Sequence, residues 1–147
     1  GGADDEDGSD EEGEPVQIRA RHLLIKHEGS RNPLSRRTNL STANLSRNDA
    51  LAELKIWQGK VQRGVISLEA AARQRSDCAS FQDGGDLGAF ERGEMQVPFE
   101  DAAFLLKKGE LSGIVETESG LHLIERIELD LDGNSDEGDE EREREGE

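Results

Sequence analysis

A chain of 147 residues with 34 Asp+Glu against 18 Lys+Arg has the length of one domain and a formal net charge of −16. No apolar run approaches the ~18 residues of a membrane span, the Gly/Asp/Glu-rich start is unlike a signal peptide, and the excess of acid repels DNA and RNA. One cysteine, Cys78, excludes an intramolecular disulfide and fits a reducing compartment, cytoplasm or nucleus.

Charge divides the chain. Residues 1–14 hold eight acids and no base, and residues 128–147 hold eleven acids beside Arg142 and Arg144. Residues 15–127 carry 16 bases, 15 acids and 44 of the 47 hydrophobic residues. We therefore expect one near-neutral folded domain at 15–127 between two disordered acidic arms, 1–14 and 128–147. The bland reading of the arms is solubility; the sharper one is recruitment of basic proteins, or folding back onto basic residues of the domain.

Val16 to Lys26 reads as the first strand. Ile18, Ala20, His22 and Leu24 alternate onto one face, Leu23 and Ile25 onto the other, and apolar residues on both faces predict a strand interior to a sheet. His27 to Ser46 has little periodicity, and with Lys26, Arg31, Arg36 and Arg37 nearby it reads as a long basic loop. Ser46, with Asp49 three residues on, opens a helix carrying Ala50, Leu54, Trp57 and Val61 to a stop near Gly64. A short second helix starts at Ser67 with Leu68, Ala71 and Ala72 as its stripe. Ser76 to Gly88 is rich in turn residues, and Leu87 to Phe90 suits a short strand. Pro98 fits the first turn of a third helix, with Phe99, Ala102, Ala103 and Leu106 on one face and Gly109 at its end. Ile114–Thr117 and Leu121–Ile127 form a hairpin around Glu118-Ser119-Gly120, with His122 and Ile124 on one face and Leu121, Leu123 and Ile127 on the other. The order predicts an α+β domain with a mainly antiparallel sheet.

Several residues carry possible chemistry. Cys78 with a histidine partner would suit a nucleophile, although a lone cysteine is more often structural. His22 and His27 would face opposite ways on a continuing strand, and no second cysteine exists, so a metal site is not expected. His22 and His122 lie in the first and last strands, often neighbours in small sheets. They read either as a hydrogen-bonded core pair or as part of a cleft. Gly84-Gly85-Asp86-Leu87-Gly88 matches neither G-x-G-x-x-G nor a P-loop and reads as a turn. The basic loop is the better anion candidate, because clustered Arg and Lys grip phosphate by charge-assisted hydrogen bonds.

The run Arg21-His22-Leu23-Leu24-Ile25-Lys26-His27, then Ser76-Asp77-Cys78 and Gly85-Asp86-Leu87-Gly88-Ala89-Phe90, resembles the parvulin family of peptidyl-prolyl cis/trans isomerases. So do Arg92-Gly93, Met95-Gln96, Pro98-Phe99-Glu100-Asp101-Ala102 and Thr117-Glu118-Ser119-Gly120-Leu121-His122. The resemblance covers about residues 16–127 and is strongest to the Pin-type branch, which favours phosphoSer- or phosphoThr-Pro bonds. It implies a four-stranded antiparallel sheet surrounded by about four helices, no cofactor, a monomer, and proline-containing, preferentially phosphorylated protein substrates.

By position the resemblance makes His22 and His122 the paired histidines behind the active site and Cys78 the cysteine facing the substrate, with Thr117 and Ser119 in the same network. Leu87, Met95 and Phe99 correspond to the proline-ring pocket, with Gln96 nearby. Lys26 and Arg31 correspond to the phosphate-binding residues. Two departures stand out. Asn32 occupies the place of a second adjacent arginine, with Arg36 and Arg37 as substitutes further along the loop. The single tryptophan, Trp57, falls inside a predicted helix, so no WW module is expected. The rival expectations are a non-catalytic parvulin-like module that binds proline motifs or basic proteins and, more distantly, a thiol hydrolase.

Overall fold

The expected first strand forms at Gln17–Ile25 (β1) and is central, as apolar residues on both its faces required. The computed structural model describes residues 14–129, so the acidic arms lie outside the described residues except for Glu14, Glu128 and Leu129. Beside β1 on one edge runs Asp86–Glu91 (β2); on the other lies Gly120–Ile127 (β4), followed by Val115–Thr117 (β3). The order is β2-β1-β4-β3 and every neighbouring pair is antiparallel. First and last strands are therefore partners.

Helices cover both faces because the two central strands, β1 and β4, have two apolar faces. Arg47–Gln62 (α1) and Leu68–Arg75 (α2) place Ala50, Leu54, Leu68, Ala71 and Ala72 against Leu23, Ile25, Leu121 and Leu123. Val97–Leu105 (α3) covers the other face, where Phe99, Ala103 and Phe104 pack on Ile18, Ala20, Phe90 and Ile124. Ser46 and Ser67 begin α1 and α2 by accepting the N–H groups of Asp49 and Ala70, each at 3.0 Å. Each cap contributes about 1 kcal/mol.

Three details differ from expectation. The fourth helical element is a single 3-10 turn, Ala79–Asp83, within the stretch read as turns. The helix expected to reach Gly109 ends at Leu105, because Leu106 is extended and the Gly109 N–H donates to the Arg126 carbonyl of β4 at 2.7 Å. The loop over 27–46 has fixed local structure. Glu28 donates to Leu45, Thr42 to Pro33 and Arg36 to Asp77, each at 2.8 Å, satisfying backbone groups that no helix or strand would pair.

Pairing of β1 with β2 shifts between Arg19 and Arg21, so β2 carries one extra residue, a bulge, ahead of Ala89. Gly85 closes this edge at φ +84°, its carbonyl accepting the His22 N–H at 2.9 Å. A Cβ there would sit 2.2 Å from the His22 carbonyl oxygen, whereas one on Gly88, also at positive φ, would meet nothing within 4 Å. Both alanine variants carry left-handed strain of about 1 kcal/mol or more, but only Gly85→Ala adds a backbone collision. Urea unfolding should show Gly85→Ala losing at least ~1 kcal/mol more than Gly88→Ala; equal losses would mean the chain relaxes around the clash at no cost.

Candidate active site

The β1–β4 register sets His22 opposite Ile124 and Leu24 opposite His122, which leaves the two histidines as diagonal neighbours on one face. Their Nδ1 atoms are 3.0 Å apart and both side chains are buried. Phe99 of α3 meets both rings edge-on, with centroids at 5.4 and 5.2 Å. Two nitrogens at that separation share one proton, so one ring donates and the other accepts.

Thr117 Oγ1 accepts the Ser119 N–H at 3.1 Å and lies 2.7 Å from His122 Nε2. With the Thr117 hydroxyl donating to His122 Nε2, His122 carries its proton on Nδ1 and donates it to His22 Nδ1. Burial, and then the neighbouring His22, push His122 well below the usual histidine range, so the ring is neutral. His22 Nε2 is a buried atom without a hydrogen-bond partner among the described residues. Burial alone would push the Cys78 thiol up. The His22 ring, and after it the Ser80 hydroxyl and N–H, outweigh burial and hold the thiol at about 6.

Cys78 is placed by the two residues before it. Ser76 Oγ accepts the Leu24 N–H at 3.0 Å, the Asp77 N–H donates to the Leu24 carbonyl at 2.8 Å, and Asp77 Oδ2 accepts the Lys26 N–H at 2.9 Å. Ser76 and Asp77 thus continue the sheet edge that β2 leaves at Gly85.

These elements enclose a hollow of about 180 Å3. Leu87, Met95 and Phe99 form its apolar wall; Cys78, Ser119, Gln96, His22 and His122 supply the polar one, and Leu24 completes the lining. The hollow therefore gathers eight of the thirteen candidate residues named from the sequence. Thr117 stands behind it, reaching it through His122. Gln96 spans the rim, its Nε2 donating to Ser119 Oγ at 2.7 Å and its Oε1 accepting the Glu118 N–H at 3.1 Å.

The four basic candidates are not in the hollow. Lys26 is buried, and its Nζ donates to the Leu34 carbonyl at 2.7 Å; burial pulls its pKa below the usual lysine range despite Asp77. Arg31 is exposed, with its backbone N–H on the Glu118 carbonyl at 2.7 Å and its guanidinium on the Glu118 carboxylate at 2.8 Å. Arg36 is exposed, and Arg37 faces a different cleft. Sequence patterns do not single out Leu24, Asp77 or Glu118 as site residues. Leu24 is readable from the strand face it shares with His22; the other two act through contacts remote in sequence. Among the described residues no three His, Cys, Asp or Glu side chains gather as a metal site requires.

The thiol environment is open to measurement. The rate of Cys78 alkylation by iodoacetamide should rise with pH around a midpoint near 6, and His22→Asn should move the midpoint up toward the ordinary thiol range. A wild-type midpoint in the ordinary thiol range, near ~8.5, would contradict the role given to His22.

Residues 22–128 match the family model of the PPIC-type PPIase (rotamase) domain. The chain is 51% identical over 115 residues to the peptidyl-prolyl cis-trans isomerase ESS1 of Saccharomyces cerevisiae, covering 77% of this chain and 66% of that one. To the Pin1 isomerase of Malus domestica it is 45% identical over 112 residues, covering 75% and 93%. In structure it resembles ESS1 from Candida albicans (TM-score 0.74, 42% identity, 77% of this chain and 63% of that one) and the solution structure of TbPIN1 (TM-score 0.71, 54% identity, 77% and 98%). The chain spans 60–66% of the length of the fungal relatives ESS1, ssp-1 and pin1. With the paired histidines and the cysteine-lined hollow inside the matched span, the chain belongs to the PPIC-type, or parvulin, family of peptidyl-prolyl cis-trans isomerases.

Proposed function

We propose that the chain catalyses cis/trans isomerisation of X-Pro bonds in proteins, with preference for phosphoSer- or phosphoThr-Pro. The observation that carries the reading is the hollow itself: an apolar wall of Leu87, Met95 and Phe99 suited to a proline ring, facing a polar wall centred on Cys78.

Rotation about a peptide bond costs ~18–20 kcal/mol because the C–N bond loses its double-bond character. At X-Pro the two ends are close in energy, so the barrier is what a catalyst changes. In the planar amide the carbonyl oxygen carries extra negative charge and the nitrogen is depleted; twisting reverses both. Negative charge near that oxygen therefore disfavours the planar form relative to the twisted one. A Cys78 thiol at about 6 is mostly thiolate at neutral pH and supplies such a charge without attacking the carbonyl. The twisted nitrogen gains a lone pair that a donor on the rim, the Ser119 hydroxyl or the Gln96 amide, can engage. His22 and His122, in the polar wall, hold the thiol and, through Thr117, the Ser119 backbone.

Phosphate preference rests on Arg31, the exposed cation tied to the same Glu118–Ser119 turn that lines the hollow. A phosphate on the residue before proline would compete with Glu118 for that guanidinium. Both partners are exposed, so the pair contributes no more than about 1 kcal/mol.

Two-dimensional exchange NMR on matched Ser-Pro, Glu-Pro and phosphoSer-Pro peptides, with catalytic amounts of protein, tests the reading. We expect faster exchange for all, and most for the phosphopeptide. Equal acceleration of the three would remove the phosphate preference; binding without acceleration would make the chain a non-catalytic module. Glu118→Gln should raise the ratio of phosphorylated to unphosphorylated turnover by about two- to five-fold, the span a pair of this strength allows. An unchanged ratio would exclude Glu118 as a competitor.

A further inference from the structure

A second and larger hollow, about 350 Å3, lies on the basic loop and shares no lining residue with the first. The two adjoin in sequence: Asp77 lines the larger and Cys78 the smaller. Ser35, Arg37, Thr38, Ser41 and Arg75 also line the larger one, and their hydrogen bonds leave an imbalance. Ser35 Oγ accepts the N–H groups of Arg37 and Thr38 at 3.2 and 3.3 Å. Thr38 Oγ1 accepts from Leu40, and Ser41 Oγ from Ala43, each at 3.1 Å. All three hydroxyls are thus used as acceptors, and their protons have no acceptor among the described residues.

Arg37 adds a further donor. Its Nε is buried without a partner among the described residues, and its Nη2 is 4.0 Å from Asp77 Oδ1. The one carboxylate in the wall is already engaged: Asp77 Oδ2 accepts from the Lys26 backbone, and Oδ1 from Arg75 at 3.1 Å. Arg75 is paired with Glu53 as well as with Asp77, and Asn44 adds an amide to the lining, so what the cleft offers an anion is the Arg37 guanidinium and the hydroxyl protons of Ser35, Thr38 and Ser41. Its complement is a group made of acceptors alone, and a tetrahedral oxyanion is such a group.

We propose that this cleft is a second anion subsite, which takes a phosphoryl group through Arg37 and the hydroxyls of Ser35, Thr38 and Ser41. Its volume admits a phosphorylated side chain as well as the free ion. A substrate carrying a second phosphoresidue would engage it while its proline occupies the neighbouring hollow, and the two contacts would reinforce each other. That coupling rests on the isomerase reading; phosphate binding in the cleft does not.

The test titrates the full chain with inorganic phosphate at fixed ionic strength and follows 1H–15N spectra, including the Arg Nε–H signals. We expect saturable shifts at the Arg37 Nε–H and at the amides of Thr38 and Ser41, with affinity at least five-fold lower in Arg37→Gln and reduced in Thr38→Ala, both folded by the same spectra. Shifts confined to Arg31, non-saturating shifts, or unchanged affinity in both variants would overturn the proposal. A doubly phosphorylated peptide binding at least five-fold tighter than its singly phosphorylated match, with the gain lost in Arg37→Gln, supports the subsite and names substrate as the source. Saturable phosphate binding without that gain supports it with free phosphate as the ligand. Absence of isomerase activity would leave the phosphate shifts readable and would sink only the coupling.

Discussion

Pairing of the first strand with the last is the constraint on which the rest of the site depends. In a sheet the side-chain period is two, so one register both buries Leu23 and Ile25 against Leu121 and Leu123 and turns His22 and His122 to the opposite face together. A slip of β4 by one residue would send His122 under α1 and α2 and bring an aliphatic side chain into the polar network. The histidine pair is therefore secured by the packing of a core on the other side of the sheet, and its 3.0 Å contact needs no flexible positioning.

The same strand also fixes the third member of the network. Where β2 departs at Gly85, Leu24 and Lys26 would expose unpaired backbone groups, and Ser76 and Asp77 fill that edge with side-chain and backbone hydrogen bonds. Cys78 follows directly, so its sulfur is referenced to β1, as His22 is. Asp77 is buried, and it draws Arg75, the Lys26 backbone and the Arg36 backbone into one knot. The basic loop, the thiol and the sheet edge are consequently tied together through Asp77. An unpaired charge at this depth would be costly, and Arg75, itself held by Glu53, provides the compensation.

Much of the fold is legible in local patterns of the sequence. Alternation in β1 and β4 declares two buried faces, the serines at 46 and 67 mark both helix starts, and Pro98 marks the third helix within a residue or two. The apolar wall and the histidine pair follow from motif resemblance together with those faces. What stays hidden depends on hydrogen bonds between distant segments, which leave no period in the sequence. Gly109 pairs with Arg126 and so cuts α3 short; Lys26 turns inward to Leu34; Arg31 is met by Glu118 from across the fold. In the sequence the basic residues read as one anion site. The backbone of the loop distributes them over two surfaces and one buried amine.

Charge placement decides what each surface can do. On the proposed reading, a prolyl bond being twisted needs little covalent chemistry and is served by a fixed charge beside the carbonyl oxygen and a wall that holds the ring. A thiolate is useful there only if nearby cations do not neutralise it. With His122 neutral, Lys26 facing inward and Arg31 outward, His22 is the first partner that stabilises the sulfur, with Ser80 after it. Had the loop gathered Lys26, Arg31 and Arg37 around the hollow, their combined charge would bind phosphate more tightly while cancelling the field that favours the twisted amide. On the proposed reading, anion recognition and the thiol are separated by one peptide, with Asp77 lining one hollow and Cys78 the other.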